Sequence, residues 1–232
     1  MVDDVLLIPR HLGIIVDGNR RWAKQHGLPS YEGHLAGHNT LLDILPEFHK
    51  AGVEFLSLYV FSTENWKRSK DEVSRLMSLI MKVFGDDLKL FHTNKIRIRV
   101  LGEEEHVPKK VLATLRRAEE ETAQYDDGTV AVCFNYGGQR EIVSAVKKIV
   151  QSGVSADEID EQMIADNLYA PDIPPLDMVV RTSGEHRLSN FMLWRTAYSE
   201  FMFIDKPWPD MTKGDVKAIM KEYSRRHRRF GG

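Results

Sequence analysis

Four polar stretches of this sequence collect the side chains that chemistry on anions requires. The first is Asp17-Gly18-Asn19-Arg20-Arg21-Trp22. A carboxylate offers a hard oxygen ligand for Mg²⁺, a glycine lets backbone N–H groups approach phosphate, and arginine forks grip phosphate oxygens. The second, Ser62-Thr63-Glu64-Asn65-Trp66-Lys67-Arg68, combines hydroxyls, an acid, an amide and an arginine into a polar rim. The third runs from Arg181 to Asn190 and sets Arg181 and Arg187 a turn apart, with the hydroxyls of Thr182, Ser183 and Ser189 nearby. That combination suits diphosphate better than a metal; His186 has no second histidine at ligand spacing, which argues against zinc. Asn135-Tyr-Gly-Gly138 is the fourth. The first three each have a plainer use: a solvated loop with an Arg–Asp pair, a helix start capped by Ser69 and Asp71 with Glu64 in a first turn, and a surface pair of Glu185 with Arg187.

Other chemistries lack their signatures. There is no G-x-x-x-x-G-K-[ST] loop, no G-x-G-x-x-G after a strand and no G-x-S-x-G elbow. Cys133, the single cysteine, lies within an apolar strand and reads as core. With no second cysteine there is no intrachain disulfide, and a reducing, cytoplasmic setting is expected. Thirty-two Lys+Arg against 34 Asp+Glu give a net charge of -2, so no global field draws the chain to nucleic acid. The basic run at 225–229 reads as a local phosphate or partner contact. No apolar stretch approaches the length of a membrane span, and the first ten residues do not have the make-up of a signal peptide.

The four stretches need elements to position them. Short β-branched runs at 12–16, 53–61, 96–100, 130–134, 176–180 and 201–204 read as strands. Between them come amphipathic stretches: Leu41, Ile44, Leu45 and Phe48 on one face, then a long helix over 71–91 on Val73, Leu76, Met77, Ile80, Phe84, Leu88 and Phe91. Further helices are predicted at 108–123, at 139–150 with Ile142, Val143, Val146 and Ile149 inward, at 158–168 and at 213–226. Strand–helix alternation implies an α/β fold: a mostly parallel central sheet of about six strands flanked by helices, here expected as a single domain over residues 1–232. Ligands bind beyond the carboxyl ends of the strands in such sheets, and the four polar stretches follow Val16, Phe61, Phe134 and Val180.

At this level of detail the residues resemble the cis-prenyltransferase family, which includes undecaprenyl diphosphate synthase. The resemblance rests on Asp17–Trp22, Gly33-His34, Ser62–Trp66 with Arg68, Asn135–Gly138, Arg181–Ser189 and Trp208-Pro-Asp210, in family order from His11 to Gly232. It implies Mg²⁺-dependent addition of isopentenyl diphosphate to an allylic diphosphate of farnesyl or geranyl type, making Z double bonds. The implied product is undecaprenyl diphosphate for a cell-wall lipid carrier. By the same resemblance Asp17 handles Mg²⁺ and diphosphate, and Glu200 is the second metal carboxylate. Gly18, Asn19, Arg20 and Arg21 surround the allylic diphosphate, with Trp22 and His34 as further contacts. Ser62, Thr63, Glu64, Trp66 and Arg68 form the second substrate loop, and Asn65 takes the proton-acceptor position. Arg181, Arg187, Leu188 and Ser189 belong to the isopentenyl diphosphate grip. Arg229-Phe230-Gly231 resembles a motif that reaches a partner subunit's site, so a homodimer is implied. The allyl tail needs an apolar tunnel, for which the helix faces at 41–48 and 73–91 beside Val60 are the candidates. Product release implies contact with a membrane surface.

Three positions depart from the family pattern. Ser30 stands where many members have arginine, Arg20 replaces a common glycine and could restore that charge, and Val60 is bulkier than the alanine of many long-chain members. A short-chain or irregular prenyl diphosphate synthase, or a non-catalytic partner subunit, are therefore the competing readings.

Overall fold

The computed structural model describes residues 6–226. Six strands form one sheet: β1 (His11–Ile15), β2 (Phe55–Ser62), β3 (Ile96–Leu101), β4 (Gly128–Tyr136), β5 (Met178–Thr182) and β6 (Glu200–Ile204). Their order across the sheet is β3-β4-β2-β1-β5-β6, and every neighbouring pair is parallel. The central strands are buried almost throughout, as expected where helices cover both faces of a parallel sheet. Alternate side chains divide between two apolar layers. Leu12 and Ile14 enter the larger one with Leu41, Leu76, Val111 and Val216, while Ile15 and Tyr59 enter the smaller one with Phe191.

Among the described residues eight α-helices connect or follow the strands: α1 (Asn19–Gln25), α2 (Ser30–Lys50), α3 (Lys70–Met81), α4 (Lys89–Thr93), α5 (Lys109–Thr122), α6 (Gly138–Gln151), α7 (Glu161–Asn167) and α8 (Lys213–Arg225). The chain leaves β1 toward β2 on one side, but the later crossover from β4 returns to β1's other side as β5. The tips of β1 and β5 therefore flank the point where the strand order reverses, the usual place for a ligand crevice.

Several details differ from the sequence reading. Residues 17–21, read as a polar run, turn at Gly18 and open α1 at Asn19. The long helix over 71–91 is three pieces: α3, a π turn at Lys82–Asp86, and α4. The helix over 158–168 is a 3-10 turn at Ala156–Glu158 followed by α7. In α6, Val143 and Val146 do not point inward; they are 49% and 44% exposed, while Glu141, Ala145 and Ile149 are buried. The phase of that helix is set by a polar group: Glu141 Oε1 receives Arg195 Nη1 at 2.6 Å and the Tyr136 hydroxyl donates to Oε2, all three in the interior. A buried carboxylate needs such partners, so the helix turns Glu141 rather than its valines inward.

Most side chains on the two helix faces named as tunnel candidates are packed core, and a minority line the apolar slot. Leu41, Ile44, Leu45 and Phe48 are buried in the larger layer, and of all the side chains assigned to the two faces only Leu76 borders the cleft described below.

Candidate active site

Beyond the strand tips opens a cleft of about 1250 Å³. Its centre is Asp17. The Asp17 N–H donates to Thr182 Oγ1 at 3.0 Å and the Thr182 hydroxyl donates to the Asp17 carbonyl at 2.7 Å, so the end of β5 pins the residue after β1. At Gly18 (φ 103°) the chain turns through the left-handed region into α1. A Cβ there would also lie 2.7 Å from Ser183 Oγ, so only glycine fits. The turn aims the Gly18 N–H at Asp17 Oδ1 (2.7 Å). Asp17 Oδ2 meets Arg181 Nη2 at 2.9 Å and Arg21 Nη2 at 3.3 Å. Partial burial raises the Asp17 carboxyl, but the Arg181 hydrogen bond, the Gly18 N–H and the charges of Arg181 and Arg21 outweigh it and hold it below the usual carboxylate range. Asp17 is anionic at neutral pH.

Arg181 is buried, an uncommon state for a cation. Its Nη1 donates to Ser189 Oγ at 2.8 Å and to the Arg187 carbonyl, and its buried Nε has no hydrogen-bond partner. The loop that wraps it takes positive φ at Ser183, Ser189, Asn190 and Met192. Tyr59 supports it from below: its hydroxyl lies 3.2 Å from both the Ser189 and the Tyr136 carbonyls, and its ring stacks on Phe191. Arg187 faces outward and pairs with Glu185, which also meets Arg21 at 3.0 Å. Leu188 packs against the smaller apolar layer rather than bordering the cleft.

The second loop is a 3-10 turn, Thr63–Lys67, with Ser62 at its N-cap. The Ser62 N–H donates to Asn65 Oδ1 at 3.0 Å, which fixes the amide, and both residues border the cleft. Partial burial raises Glu64, but contacts from its own N–H, Ser62, Asn190 and Thr63 lower it below its usual range. Thr63 lies against Gly137. Trp66 turns away: its indole N–H donates to Asn135 Oδ1 at 2.7 Å, and its ring meets Phe61 edge-on. Ser69 caps α3 by accepting from the Glu72 N–H, as the plainer reading of this segment required.

Arg20, Arg21, His34 and Arg68 all border the cleft. Asn19 borders it too, with Oδ1 buried and unpartnered. Trp22 does not; its indole N–H donates to Asp210 at 2.6 Å and its ring stacks on His26. Glu200 is also elsewhere. It opens β6 in register with Met178, itself level with Leu12, and pairs with Arg226 at 3.0 Å. Three strand steps separate that level from Ile15 at the end of β1, roughly 10 Å along the sheet, and Asp17 lies beyond that end. Among the described residues no three His, Cys, Asp or Glu side chains gather as a metal cage. The motif Arg229-Phe230-Gly231 lies outside the described residues.

The sequence points to neither Tyr59 nor Glu72, and it names Thr182 and Glu185 without their partners Asp17 and Arg21. Those partnerships depend on which strand lies beside which. The assembled cleft joins a cationic floor to an apolar wall that includes Val60, Phe61 and Leu76. That combination fits a ligand with a polyanionic head and a hydrocarbon tail.

Comparison with known proteins agrees with this geometry. Residues 15–231 match the prenyltransferase family described as "Putative undecaprenyl diphosphate synthase". An isoprenyl transferase of Thermotoga maritima is 45% identical over 227 residues, covering 97% of this chain and 97% of the relative. The tritrans,polycis-undecaprenyl-diphosphate synthase (geranylgeranyl-diphosphate specific) of Pyrococcus horikoshii is 43% identical, over 97% of this chain and 88% of its own. Among solved structures, lavandulyl diphosphate synthase from Lavandula x intermedia, in complex with dimethylallyl diphosphate, superposes with a TM-score of 0.93 at 32% identity, covering 97% and 98% of the two chains.

Two histidines make a pH prediction. Burial holds His34 neutral, helped by the Arg68 and Arg20 charges against the opposing pull of Glu72, and lowers its pKa to about 4; burial does the same for His11. Unfolded, both take a proton near their ordinary 6.5. Their stability contribution is therefore complete above pH 6.5 and is lost as pH falls toward 4, by up to about 1.4 kcal/mol per pH unit for each group. Urea unfolding at pH 7.5, 6 and 5 should show that fall, and His34→Asn should reduce its slope by about half, leaving the part from His11; a constant stability across the three would refute the assignment.

Proposed function

This chain belongs to the undecaprenyl diphosphate synthase family of prenyltransferases, and from that membership we propose that it condenses isopentenyl diphosphate with an allylic diphosphate to make a Z-polyprenyl diphosphate. One observation carries the reading: an anionic Asp17 and a buried Arg181, 2.9 Å apart on neighbouring strand tips, face a cleft with both cationic and apolar walls. In this proposal the allylic diphosphate lies on the α1 side, against Arg20, Arg21, His34 and the backbone at Gly18 and Asn19. Isopentenyl diphosphate lies on the β5 side, against Arg181 and Ser189, with Arg187 joining them on release from its pair with Glu185. The hydrocarbon tail runs along Val60, Phe61 and Leu76.

Ionisation of the allylic substrate places negative charge on the departing diphosphate. Guanidinium groups already fixed around that position favour the transition state more than the ground state. The new carbon–carbon bond then leaves a proton to be removed. Asn65 is oriented by Ser62 and borders the cleft, but an amide is a weak base; we assign it a relay position from which the proton passes to diphosphate oxygen. Asp17 offers one hard oxygen donor, which fits a Mg²⁺ ion completed by substrate phosphate oxygens and water rather than by a protein cage. When bound there, the ion would add positive charge beside the leaving group.

We further propose a homodimer. β6 is an edge strand bearing Phe203, 37% exposed and stacked on His186, and an edge strand of this kind can pack against another subunit. Product length follows from the tail wall, and undecaprenyl diphosphate is the proposed product. Val60 on that wall and Ser30 on the rim favour a second reading, a short-chain or irregular coupling enzyme. No helix among the described residues is long and apolar enough to cross a membrane; we propose that the lipid product leaves through transient contact at a membrane surface.

The assay is incubation of the purified chain with isopentenyl diphosphate and geranyl, farnesyl or dimethylallyl diphosphate, with and without Mg²⁺, followed by product sizing. Long Z-products that require Mg²⁺ and fall by orders of magnitude in Asp17→Ala are expected; products of one condensation select the second reading. No turnover with any primer would leave a partner-subunit role and sink the enzymatic proposal for the chain alone.

Sedimentation at micromolar concentration should report a mass near twice 26.7 kDa. A fully active monomer would contradict the dimer.

A further inference from the structure

Behind the α1 side of the cleft, one carboxylate gathers three of the residues that border it. Glu72 lies in the first turn of α3. Its Oε1 receives Arg68 Nη1 at 2.9 Å and stands 3.7 Å from Arg20 Nε and 3.8 Å from His34 Nε2. Arg20, His34 and Arg68 border the cleft, whereas Glu72 does not. The three come from different elements: α1, α2 and the segment before α3. Two guanidinium groups held this close repel each other, and long side chains lose considerable rotamer entropy when ordered. A carboxylate set between them offsets the repulsion, fixes Arg68 by a charge-assisted hydrogen bond and draws Arg20 toward it as an ion pair at 3.7 Å. His34 completes the group with a buried Nε2 that has no hydrogen-bond partner.

We propose that Glu72 is a positioning residue for the allylic diphosphate: from behind the cleft it holds Arg20, Arg68 and His34 as one anion-gripping unit. The proposal rests on the reading that the α1 side of the cleft takes the allylic substrate, and it goes beyond that reading by making the grip depend on a residue that does not touch substrate. It also explains how the site works with Ser30 on its rim. The cation that Ser30 does not supply comes from Arg20, which is useful there only while Glu72 orients it. Net charge around Glu72 stays at +1, from two arginines and one carboxylate with His34 neutral, so an incoming diphosphate still meets attraction.

A different role is open to the same carboxylate. Glu72 would act as an internal competitor if it occupied the cations that the diphosphate needs. The two roles give opposite signs on substitution.

The test is calorimetric binding of inorganic pyrophosphate, farnesyl diphosphate and isopentenyl diphosphate to the full chain, as wild type, Glu72→Gln, Arg20→Gly and the double variant. The positioning role predicts a roughly tenfold loss of affinity for pyrophosphate and farnesyl diphosphate in Glu72→Gln, the scale of one charge-assisted contact. Isopentenyl diphosphate should shift by less than about twofold. The double variant should bind about as weakly as the worse single variant, because both substitutions disable the same unit. Unchanged or tighter farnesyl diphosphate binding in Glu72→Gln, equal losses for all three ligands, or fully additive losses would each overturn the proposal. If Glu72→Gln melts early, Glu72→Asp, with the charge one methylene shorter, supplies the same comparison and should lose farnesyl diphosphate affinity selectively. Binding is read without turnover, so the outcomes separate. A wild type that binds farnesyl diphosphate without elongating it removes the functional reading alone, whereas wild-type affinity in Glu72→Gln removes only the role of Glu72.

Discussion

The contact between Asp17 and Arg181 is the constraint around which the rest of this site is arranged. It exists because β1 and β5 are parallel neighbours in a register that sets Ile15 opposite Arg181. Two residues past Ile15 the chain presents Asp17, and Thr182 ties it down by two hydrogen bonds. Arg181 is buried and needs an anion; it keeps Asp17 ionised, and Asp17 balances the buried cation. Arg21 joins from α1, and Ser189 and the Arg187 carbonyl join from the loop after β5, so both sides of the cleft converge on one ion pair.

That pair is held still by interactions well away from it. The buried Glu141–Arg195 pair fastens α6 to the 3-10 turn Trp194–Thr196 that follows β5, and Arg195 also donates to the Tyr169 and Ala170 carbonyls of the segment before β5. Asn190 accepts at its carbonyl from the Gly138 N–H and at Oδ1 from the Gln139 N–H, binding the Arg181 loop to the start of α6. A buried pair such as Glu141–Arg195 contributes little net stability but is costly to break, because one charge would be stranded. Its value here is positional: the phase of α6 and the path of the loop cannot shift without stranding it.

Much of this architecture was legible in the sequence. The six strands were visible because buried parallel strands are short, continuous apolar runs, and the site loops because Gly18, the arginines and the hydroxyls follow those runs directly. What could not be read was set by contacts distant in sequence. The inward face of α6 was misassigned because Val143 and Val146 look like core until Arg195 claims Glu141. The helix over 71–91 was drawn unbroken because its apolar spacing runs through the π turn at Lys82–Asp86. Trp22, Trp66 and Leu188 lie within the correct motifs, yet Asp210, Asn135 and the apolar layer around Phe191 take their side chains away from the cleft. Glu72 passed unnoticed as an ordinary first-turn acid, since its partners are 52, 38 and 4 positions away in the chain.

The proposed substrates follow from family membership, and the strand-tip geometry supplies a physical reason such substrates would be held. The most direct measurement of that account is a double-mutant cycle on kcat/KM with Asp17→Asn and Arg181→Gln, using an allylic primer and isopentenyl diphosphate. If the pair acts as one unit, the double variant is no slower than the worse single variant, with a coupling of at least about 1 kcal/mol. Losses that simply multiply would show that Asp17 and Arg181 act independently, and would contradict the central place given to their contact.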